Sequence, residues 1–435
     1  MTRSSRRLEI DGLRAVAALW VMCDHFGLSA LVGMHYGFLA VRVMLVLSAY
    51  FAARQLRSLW STTAARGESI TSTLVHYYTS RVIRLGLVAY AAIFLAVLFN
   101  ADGARATWHW HVSFATNLWI LKNTDWPGCL SHFWSLAVQM QFLLLLPPAL
   151  TILGPRRLPK FLLGGVLAAL AHRACVWIHD AEAFIRWMPL TNSLDAFCMG
   201  VGLAWVQQER PDWFRKLELP SLTAVALIFL IATQWLRGSH YDSSWGVLIE
   251  TGEAIAMTLF FGALLVGRSF GWLGRVLRST PFVKLGAASL SLYALHPVVE
   301  RLLAYLLIGG GAPQDPSHIG LWFQGLAAGT AILAALAGFY LLEIPARKIT
   351  SWIENGASAL APGLLSFSDR FSCWLRRWQP LGAVCLALLL VYGALTPLRY
   401  PHRSIATEVE EAPPIDPDSF VPFFLDNPRK AENFV

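Results

Sequence analysis

The chain has 435 residues, of which 56% are apolar or aromatic and only 14% are charged. A globular domain carries about 25% charged residues, so this composition excludes a water-soluble protein, which would have too few charges to cover its surface. The net charge of +8 does not indicate nucleic-acid binding. The basic residues are concentrated in every second connection between the apolar stretches, which is the pattern of the positive-inside rule for membrane proteins. The sequence therefore predicts a polytopic α-helical membrane protein.

Long stretches without Asp, Glu, Lys or Arg match the roughly 20 residues that cross a bilayer as a helix. They predict an all-α membrane protein, a helical bundle of ten core transmembrane helices plus one C-terminal transmembrane helix. The predicted spans are 13–32, 36–53, 82–99, 131–153, 161–178, 190–207, 220–236, 247–266, 283–307, 320–342 and 381–398. If the N-terminus is cytoplasmic, most of the basic residues lie in the connections on the inner side, as the positive-inside rule requires. We therefore expect a multi-pass protein of the plasma (inner) membrane, with a cytoplasmic N-terminus and an extracytoplasmic C-terminus.

The distribution of apolar stretches divides the chain into four parts. Residues 1–350 are predicted to form one membrane domain of ten spans, followed by a cytoplasmic linker over 351–379 and the eleventh helix over 380–398. The extracytoplasmic tail, 399–435, is too short and polar to build a core, and we expect it to be disordered. The six cysteines show no metal-ligand spacing, so neither a metal site nor a permanently bound cofactor is predicted.

The first span carries three ionisable residues, Arg14, Asp24 and His25. Such groups are costly at membrane depth and are functional candidates by default. Arg14 and His25 are eleven residues apart, which places them on one helix face, separated by about 16 Å along the axis. This face could carry a cation near the inner surface and an imidazole deeper in the membrane. The alternatives are an interfacial arginine that reaches toward water and a packed structural histidine.

The later spans contribute further polar residues. Arg81 and Arg84 lie at i and i+3, where two guanidinium groups can grip phosphate oxygens, although such a pair also fits an anchor at the inner interface. Other side chains suggest one polar interior cavity, although each could also be an interhelical hydrogen-bond contact. They are Trp134, Ser135 and Gln139 in the fourth span, which opens at His132, Asp195 in the sixth, Tyr293 and His296 in the ninth, and Glu343 at the end of the tenth.

In this order, the residues resemble the integral-membrane acyltransferase 3 family. The opening Leu8-Glu9-Ile10-Asp11-Gly12-Leu13-Arg14-Ala15 followed by His25 resembles its hallmark of Arg, ten residues and His, and Arg81 with Arg84 resembles its RxxR signature. The resemblance covers about residues 8–348. The remaining motifs follow in the family's order: Asn117, Trp134-Ser135-Leu136-Ala137-Val138 with Gln141-Phe142, Leu194-Asp195-Ala196 with Gly200, Ser291-Leu292-Tyr293 with His296, and Glu343 before Pro345.

The resemblance implies a membrane-bound O-acyltransferase. The family moves an acyl group, most often acetyl, from a cytoplasmic acyl-CoA to a hydroxyl of an extracytoplasmic carbohydrate or glycolipid. Arg14 and His25 would be the catalytic pair, and Arg81 and Arg84 would hold the phosphates of the acetyl-CoA or other acyl-CoA donor. By its chemistry His25 is the natural base, and Asp24 or another carboxylate could orient it as a third catalytic residue. Membrane lipid and glycan-assembly proteins are the other expected partners, and nucleic acid is not.

Three departures from the family's usual pattern matter: Gln139 in the fourth span, Arg42 together with Ala49 for Gly in the second, and the missing proline after RxxR, where Gly86-Leu87 stand. Gln139 stands where Glu is usual, and an amide cannot act as an acid or base; Arg42 stands in a second span that usually holds an acidic residue. Gln139 and Arg42 could have changed together and kept a hydrogen-bonded contact. They could equally mark a catalytically altered or inactive paralogue that acts as a partner in glycan assembly. A transporter or flippase is a further alternative, against which stands the absence of internal repeats.

Overall fold

The computed structural model describes residues 7–28, 37–65, 67, 70–179, 183–240, 246–267, 270–309 and 319–356. Every regular element within these ranges is helical, as predicted. The predicted eleventh span, the tail and most of the linker lie outside the described residues.

The α-helices of the described ranges are α1 (Leu8–His25), α2 (Gly37–Ala65), α3 (Ile70–Leu98), α4 (Ala104–Val112), α5 (Thr116–Asn123), α6 (Phe133–Ile178), α7 (Ala183–Trp187), α8 (Leu194–Glu209), α9 (Pro211–Arg215), α10 (Pro220–His240), α11 (Gly246–Val266), α12 (Gly271–Leu277), α13 (Thr280–Ala287), α14 (Ser289–Ile308), α15 (Leu321–Gly338) and α16 (Ile344–Gly356). Short 3₁₀ helices cover Ala101–Gly103, Gly128–Leu130, Leu190–Ser193 and Lys216–Glu218, and a π-helix covers Phe339–Glu343.

Seven helical segments of the described chain are long and apolar enough to cross a membrane. They are Gly37–Ala65, Ile70–Leu98, Gly128–Thr151, Arg156–Ile178, Gly246–Val266, Ser289–Ile308 and Leu321–Ser351. The count rises to eight if Pro211–Glu218 and Pro220–Gln234, which meet at 69°, form one bent span. A helix lies at each of the ten predicted core positions, but α1 has four charged residues and α8 has only 16 residues, so neither is a span by length and hydropathy.

A glycine breaks the longest helix into two segments. Gly154 in α6 has φ 63° and ψ 173°, a conformation that is open to glycine because it has no Cβ. The two segments correspond to the separately predicted spans 131–153 and 161–178.

Helix α2 is central to the bundle. It packs against α1, α3, α6, α8 and α11, and most of its residues are buried. The outer helices instead leave large apolar side chains exposed, such as Leu306 on α14 and Leu333 on α15. Exposed apolar side chains suit a surface that faces lipid tails, which are as apolar as leucine.

Helix α1, which carries Arg14 and His25, lies against α12 and α13 with almost no space between the backbones. A Cβ at Gly286 in α13 would lie 1.7 Å from the backbone oxygen of Asp11, and a Cβ at Gly12 would lie 2.1 Å from the backbone oxygen of Leu277. The two glycines therefore set the position of α1 in the bundle.

We expect Gly286→Ala to lower the free energy of unfolding by about 2 kcal/mol or more, because overpacking against a backbone cannot be relieved by turning a side chain. Denaturant unfolding of the detergent-solubilised protein measures this effect. Gly325→Ala in α15 is the matched control, since nothing lies within 4 Å of its Cβ position and alanine in a helix gains up to about 1 kcal/mol over glycine. Equal effects at the two positions would contradict the close-packing argument.

Candidate active site

A cavity of about 350 Å³ opens between α1, α2, α3, α6, α14 and α16. This volume lies within the range of small-molecule sites. Its lining brings together seven residues that the sequence analysis selected, which are Arg14, Arg81, Arg84, Ser135, Gln139, Tyr293 and Glu343. Residues about 330 positions apart in the chain thus meet at one site.

The cavity lining is rich in arginine. Arg14, Arg81 and Arg84 are joined there by Arg347 of α16, and among the described lining residues Glu343 is the one carboxylate. This balance of charge favours an anionic ligand, and guanidinium groups match the oxygens of phosphates.

Arg81 is held in place by neighbours on two helices. Its Nη2 donates to Oε1 of Gln55 at 2.5 Å, while Nε2 of Gln55 donates to Oγ of Ser80 at 2.9 Å. The guanidinium group also lies over the ring of Tyr77, 5.2 Å from its centre. Arg81 therefore presents a fixed side chain to the cavity, and Gln55 is a positioning residue for it.

Glu343 connects the cavity to α14 and α16. It ends the π-helix, a local geometry that is frequent at functional sites. Its Oε1 accepts hydrogen bonds from the backbone N (3.2 Å) and Oγ (2.7 Å) of Ser291, and its Oε2 lies 3.2 Å from Nη2 of Arg347. The carboxylate thus fixes Arg347 at the cavity wall.

Two hydroxyl groups form a further part of the wall. Oγ of Ser135 lies 2.6 Å from the phenol oxygen of Tyr293, which donates to the backbone oxygen of His132 at 2.7 Å. Because a phenol has a single hydrogen, the Ser135 hydroxyl donates to Tyr293. The pair is thus linked to the start of α6.

Next to Tyr293 lies a cluster of three histidines, defined by His25, His132 and His296. The ring centres are 5.1 Å apart for His25 and His296, 5.2 Å for His132 and His296, and 6.0 Å for His25 and His132. The ring of Tyr293 lies 5.3 Å from that of His132. Tyr293 therefore touches both the arginine-lined cavity and the histidine cluster.

The hydrogen bonds of His296 determine which of its nitrogens is protonated. Nδ1 lies 3.0 Å from the backbone oxygen of Leu292 and 2.9 Å from that of Tyr293. Carbonyl oxygens can only accept, so Nδ1 carries the hydrogen of the neutral ring and Nε2 has a lone pair. This Nε2 is buried and has no hydrogen-bond partner among the described residues.

His132 has more unused hydrogen-bonding capacity. Its side chain is buried. The backbone of Ala294 approaches the ring, but no described residue makes a hydrogen bond of good geometry to either ring nitrogen. Buried polar atoms without partners are rare in proteins, and each asks for an explanation.

Asp195 lies away from the cavity, in a buried cluster of charges. Its Oδ1 pairs with Nη2 of Arg42 and its Oδ2 with Nη2 of Arg173, each at 2.8 Å. Glu250 pairs with Arg42 at 3.2 Å, with Arg173 at 3.4 Å and with Arg186 at 3.2 Å. We call these five residues the buried charge cluster. It fixes α2, α6, α8 and α11 to one another.

Gln139 and Arg42 do not form the contact that was considered for them. Nε2 of Gln139 donates to Oγ of Ser48 at 2.7 Å, whereas the described partners of Arg42 are Asp195 and Glu250. A joint change that preserved a contact between Arg42 and Gln139 finds no support in this geometry.

The remaining selected residues lie near the site without lining the cavity. Asp24 is buried beside Gly37, where α1 meets the start of α2. Trp134 is buried with its ring centre 6.3 Å from that of Phe38.

No role was predicted from the sequence for His132 or Arg347. A signal existed for both: His132 opens the fourth-span motif, and Arg347 follows Glu343 by four residues, a spacing that places them on one helix face.

Comparison with known proteins places the chain in a family. A sequence model of the acyltransferase domain family, acyltransferase 3, matches residues 7–344. The peptidoglycan O-acetyltransferase OatA of Listeria monocytogenes is 30% identical over 382 residues, which are 80% of this chain and 57% of the relative. The O-acetyltransferase OatA of Staphylococcus aureus is 25% identical over 376 residues, 78% of this chain and 57% of the relative.

A putative O-acetyltransferase of Staphylococcus aureus is similar to the same extent, at 24% identity over 379 residues, 81% of this chain and 59% of the relative. The chain thus spans less than two thirds of the length of these relatives. No solved structure matches the chain. The match to the family model over residues 7–344 is the finding that decides membership. The chain belongs to the acyltransferase 3 family, a family of enzymes that transfer acyl groups.

Proposed function

We propose that the protein is a membrane-bound O-acetyltransferase. It takes the acetyl group from acetyl-CoA, or another acyl group from its CoA thioester, at the cytoplasmic side and transfers it to a hydroxyl of an extracytoplasmic carbohydrate or glycolipid. The names of the relatives support acetyl as the group and a peptidoglycan sugar as the acceptor class. The observation that carries the proposal is the arginine-lined cavity that ends beside three histidines.

The donor occupies the arginine-lined cavity. Arg81, Arg84, Arg14 and Arg347 supply positive charge for the phosphates of CoA, and guanidinium groups hold phosphate oxygens by charge-assisted hydrogen bonds. The apolar part of the lining, such as Leu45 and Leu136 from other helices, suits the uncharged arm that carries the thioester. The acyl carbon then comes to lie near Tyr293.

The chemistry takes place between Tyr293 and His25. His25 accepts the proton of the acceptor hydroxyl, whose oxygen bonds to the acyl carbon and gives a tetrahedral intermediate. The carbon–sulfur bond breaks when this intermediate collapses. The thiolate of CoA leaves and takes up the proton from the imidazolium. To stabilise the oxyanion of the tetrahedral intermediate, Ser135 turns its hydroxyl hydrogen away from Tyr293, or Tyr293 gives up its hydrogen bond to the backbone oxygen of His132. Arg14 and Asp24 are the other catalytic residues of α1.

The proposed placement is the plasma (inner) membrane, with the N-terminus in the cytoplasm and the C-terminus outside. Residues 1–350 form the membrane domain, and 351–379 the linker to an eleventh helix over 380–398. We include α1 and α8 among ten core spans because both pack against helices that qualify as spans. Membrane lipid surrounds the bundle, and glycan-assembly proteins deliver the acceptor.

Arg84→Gln and Arg81→Gln test the donor site. Each change removes a charged donor to phosphate, a contact worth about 1.5–3 kcal/mol, so we expect the KM for acetyl-CoA to rise at least about tenfold. The assay measures acetyl transfer to disaccharide units released from peptidoglycan, with the purified protein in detergent. Arg57→Gln is the control, because Arg57 is exposed and pairs with Glu209 on the surface.

Two results would count against the proposal. An unchanged KM in both arginine variants would remove the donor from this cavity. If the wild-type protein consumes no acetyl-CoA with any sugar acceptor, the alternative of a catalytically altered partner in glycan assembly takes its place. Gln139, which lines the cavity as an amide and not as an acid, is the observation that favours this alternative.

A further inference from the structure

The histidine cluster contains hydrogen-bonding groups that no described residue satisfies. A neutral His132 has one N–H donor and one nitrogen acceptor, and His296 has an acceptor at Nε2. None of these three makes a hydrogen bond of good geometry with a described residue, although the backbone of Ala294 lies near the His132 ring, and both side chains are buried. Leaving a buried polar group unpaired is costly, so the site is built for a ligand that supplies the missing partners.

The surroundings of the cluster indicate the kind of ligand. Aromatic rings face the histidines: the ring of Phe133 lies 4.8 Å from that of His132, and the ring of Phe26 lies 5.9 Å from that of His296. The arginines that line the cavity are separate from these walls, since none of the three histidines is part of the cavity lining. Apolar walls with a few polar groups fit a neutral ligand whose hydroxyls both donate and accept hydrogen bonds.

We propose that the histidine cluster is the acceptor subsite and binds two neighbouring hydroxyl groups of a neutral sugar ring. His296 accepts a hydrogen bond at Nε2, His132 both donates and accepts, and His25 faces the hydroxyl that reacts. The binding of the sugar follows from the cluster alone, whereas its role as acetyl acceptor rests on the proposed function.

Equilibrium binding separates the two claims, since it needs no turnover. The probe is a neutral disaccharide of N-acetylglucosamine, added to the purified full-length protein in detergent in the presence of CoA. We expect His132→Phe and His296→Phe each to raise the Kd of the disaccharide about tenfold or more, because hydroxyls are then buried without partners. The Kd of CoA should change less than twofold, which also shows that the variants are folded.

His111→Gln is the matched control. His111 is also buried, but its ring nitrogens contact the hydroxyls of Thr116 at 2.9 Å and Thr107 at 3.1 Å. Burial, with a contribution from His109, lowers the pKa of His111 to about 4, so it is a neutral buried imidazole without unused nitrogens. This variant should bind the disaccharide as the wild type does.

Should a phenylalanine variant fail to fold, His132→Leu and His296→Leu, whose side chains carry no hydrogen-bonding group, are measured in its place. Unchanged disaccharide affinity in the folded variants, or no binding to the wild type at millimolar concentrations, would overturn the acceptor subsite. Binding that depends on His132 and His296 without acetyl turnover would uphold the subsite and reject the proposed function.

Discussion

His25→Gln is expected to lower the rate of acetyl transfer about 10²- to 10⁴-fold, the range of general acid–base catalysis. Glutamine can still hydrogen-bond but cannot take up the hydroxyl proton. The ring of His25 lies within about 6 Å of those of His132 and His296, so the change removes the base while the two binding histidines remain. Single-turnover transfer from acetyl-CoA to the peptidoglycan disaccharide measures the chemical step directly.

Two further measurements distinguish a catalytic His25 from a structural one. The affinities for CoA and for the disaccharide should stay within about threefold of the wild type, and His111→Gln should retain full transfer. A His25→Gln protein that is folded, binds both substrates and transfers acetyl at the wild-type rate would exclude His25 as the base. A loss of binding together with transfer would assign it a structural role instead.

Much of the site could be predicted because helix geometry and the cost of charge in a membrane act locally. Arg14 and His25 share a face of α1 by their spacing alone, and the structure places Arg14 on the cavity and His25 in the histidine cluster. The pair Arg81 and Arg84 lies on one face of α3 for the same reason, and both line the cavity. The roles of these residues in catalysis remain predictions.

Other features depend on partners that no local pattern reveals. Asp195 was assigned to the cavity because it is a carboxylate in an apolar helix, but its partners Arg42 and Arg173 come from positions 153 residues before and 22 residues before it. A sequence shows that such charges exist and not which of them neutralise each other. The intramembrane charges of Arg173 and Glu250 were nevertheless visible as exceptions in apolar runs, which is the signal that points to a buried network.

The number of spans shows a similar limit. Hydropathy identifies helices that lipid can surround. Helix α1 does not qualify because it has four charged residues, and contacts with other parts of the protein accommodate these charges. Glu9 of α1, for example, pairs with Arg278 at 2.9 Å. A helix enclosed by other helices need not be apolar on every face, so a count by hydropathy omits the helix that carries the catalytic candidates.

Asp195→Asn is expected to lower the free energy of unfolding by about 3–5 kcal/mol, the cost of breaking a buried ion pair by removing one partner. Asp195 is fully buried and accepts hydrogen bonds from Arg42, Arg173 and the hydroxyl of Thr251. The amide has one oxygen acceptor in place of two carboxylate oxygens and no charge. The three arginines of the cluster, Arg42, Arg173 and Arg186, would then share the single charge of Glu250. Denaturant unfolding in detergent measures the loss.

Glu209→Gln is the matched control, because it removes the charge of the surface pair with Arg57, whose N–O distance of 2.7 Å is as short as that of the buried pairs. Solvent screens this pair, so the control should cost at most about 1 kcal/mol. Similar losses in the two variants would mean that burial adds nothing to the pairs of Asp195. Because Asp195 does not line the cavity, the folded fraction of Asp195→Asn should bind CoA with wild-type affinity. A selective loss of CoA binding in that fraction would instead bring the buried charge cluster into the donor site.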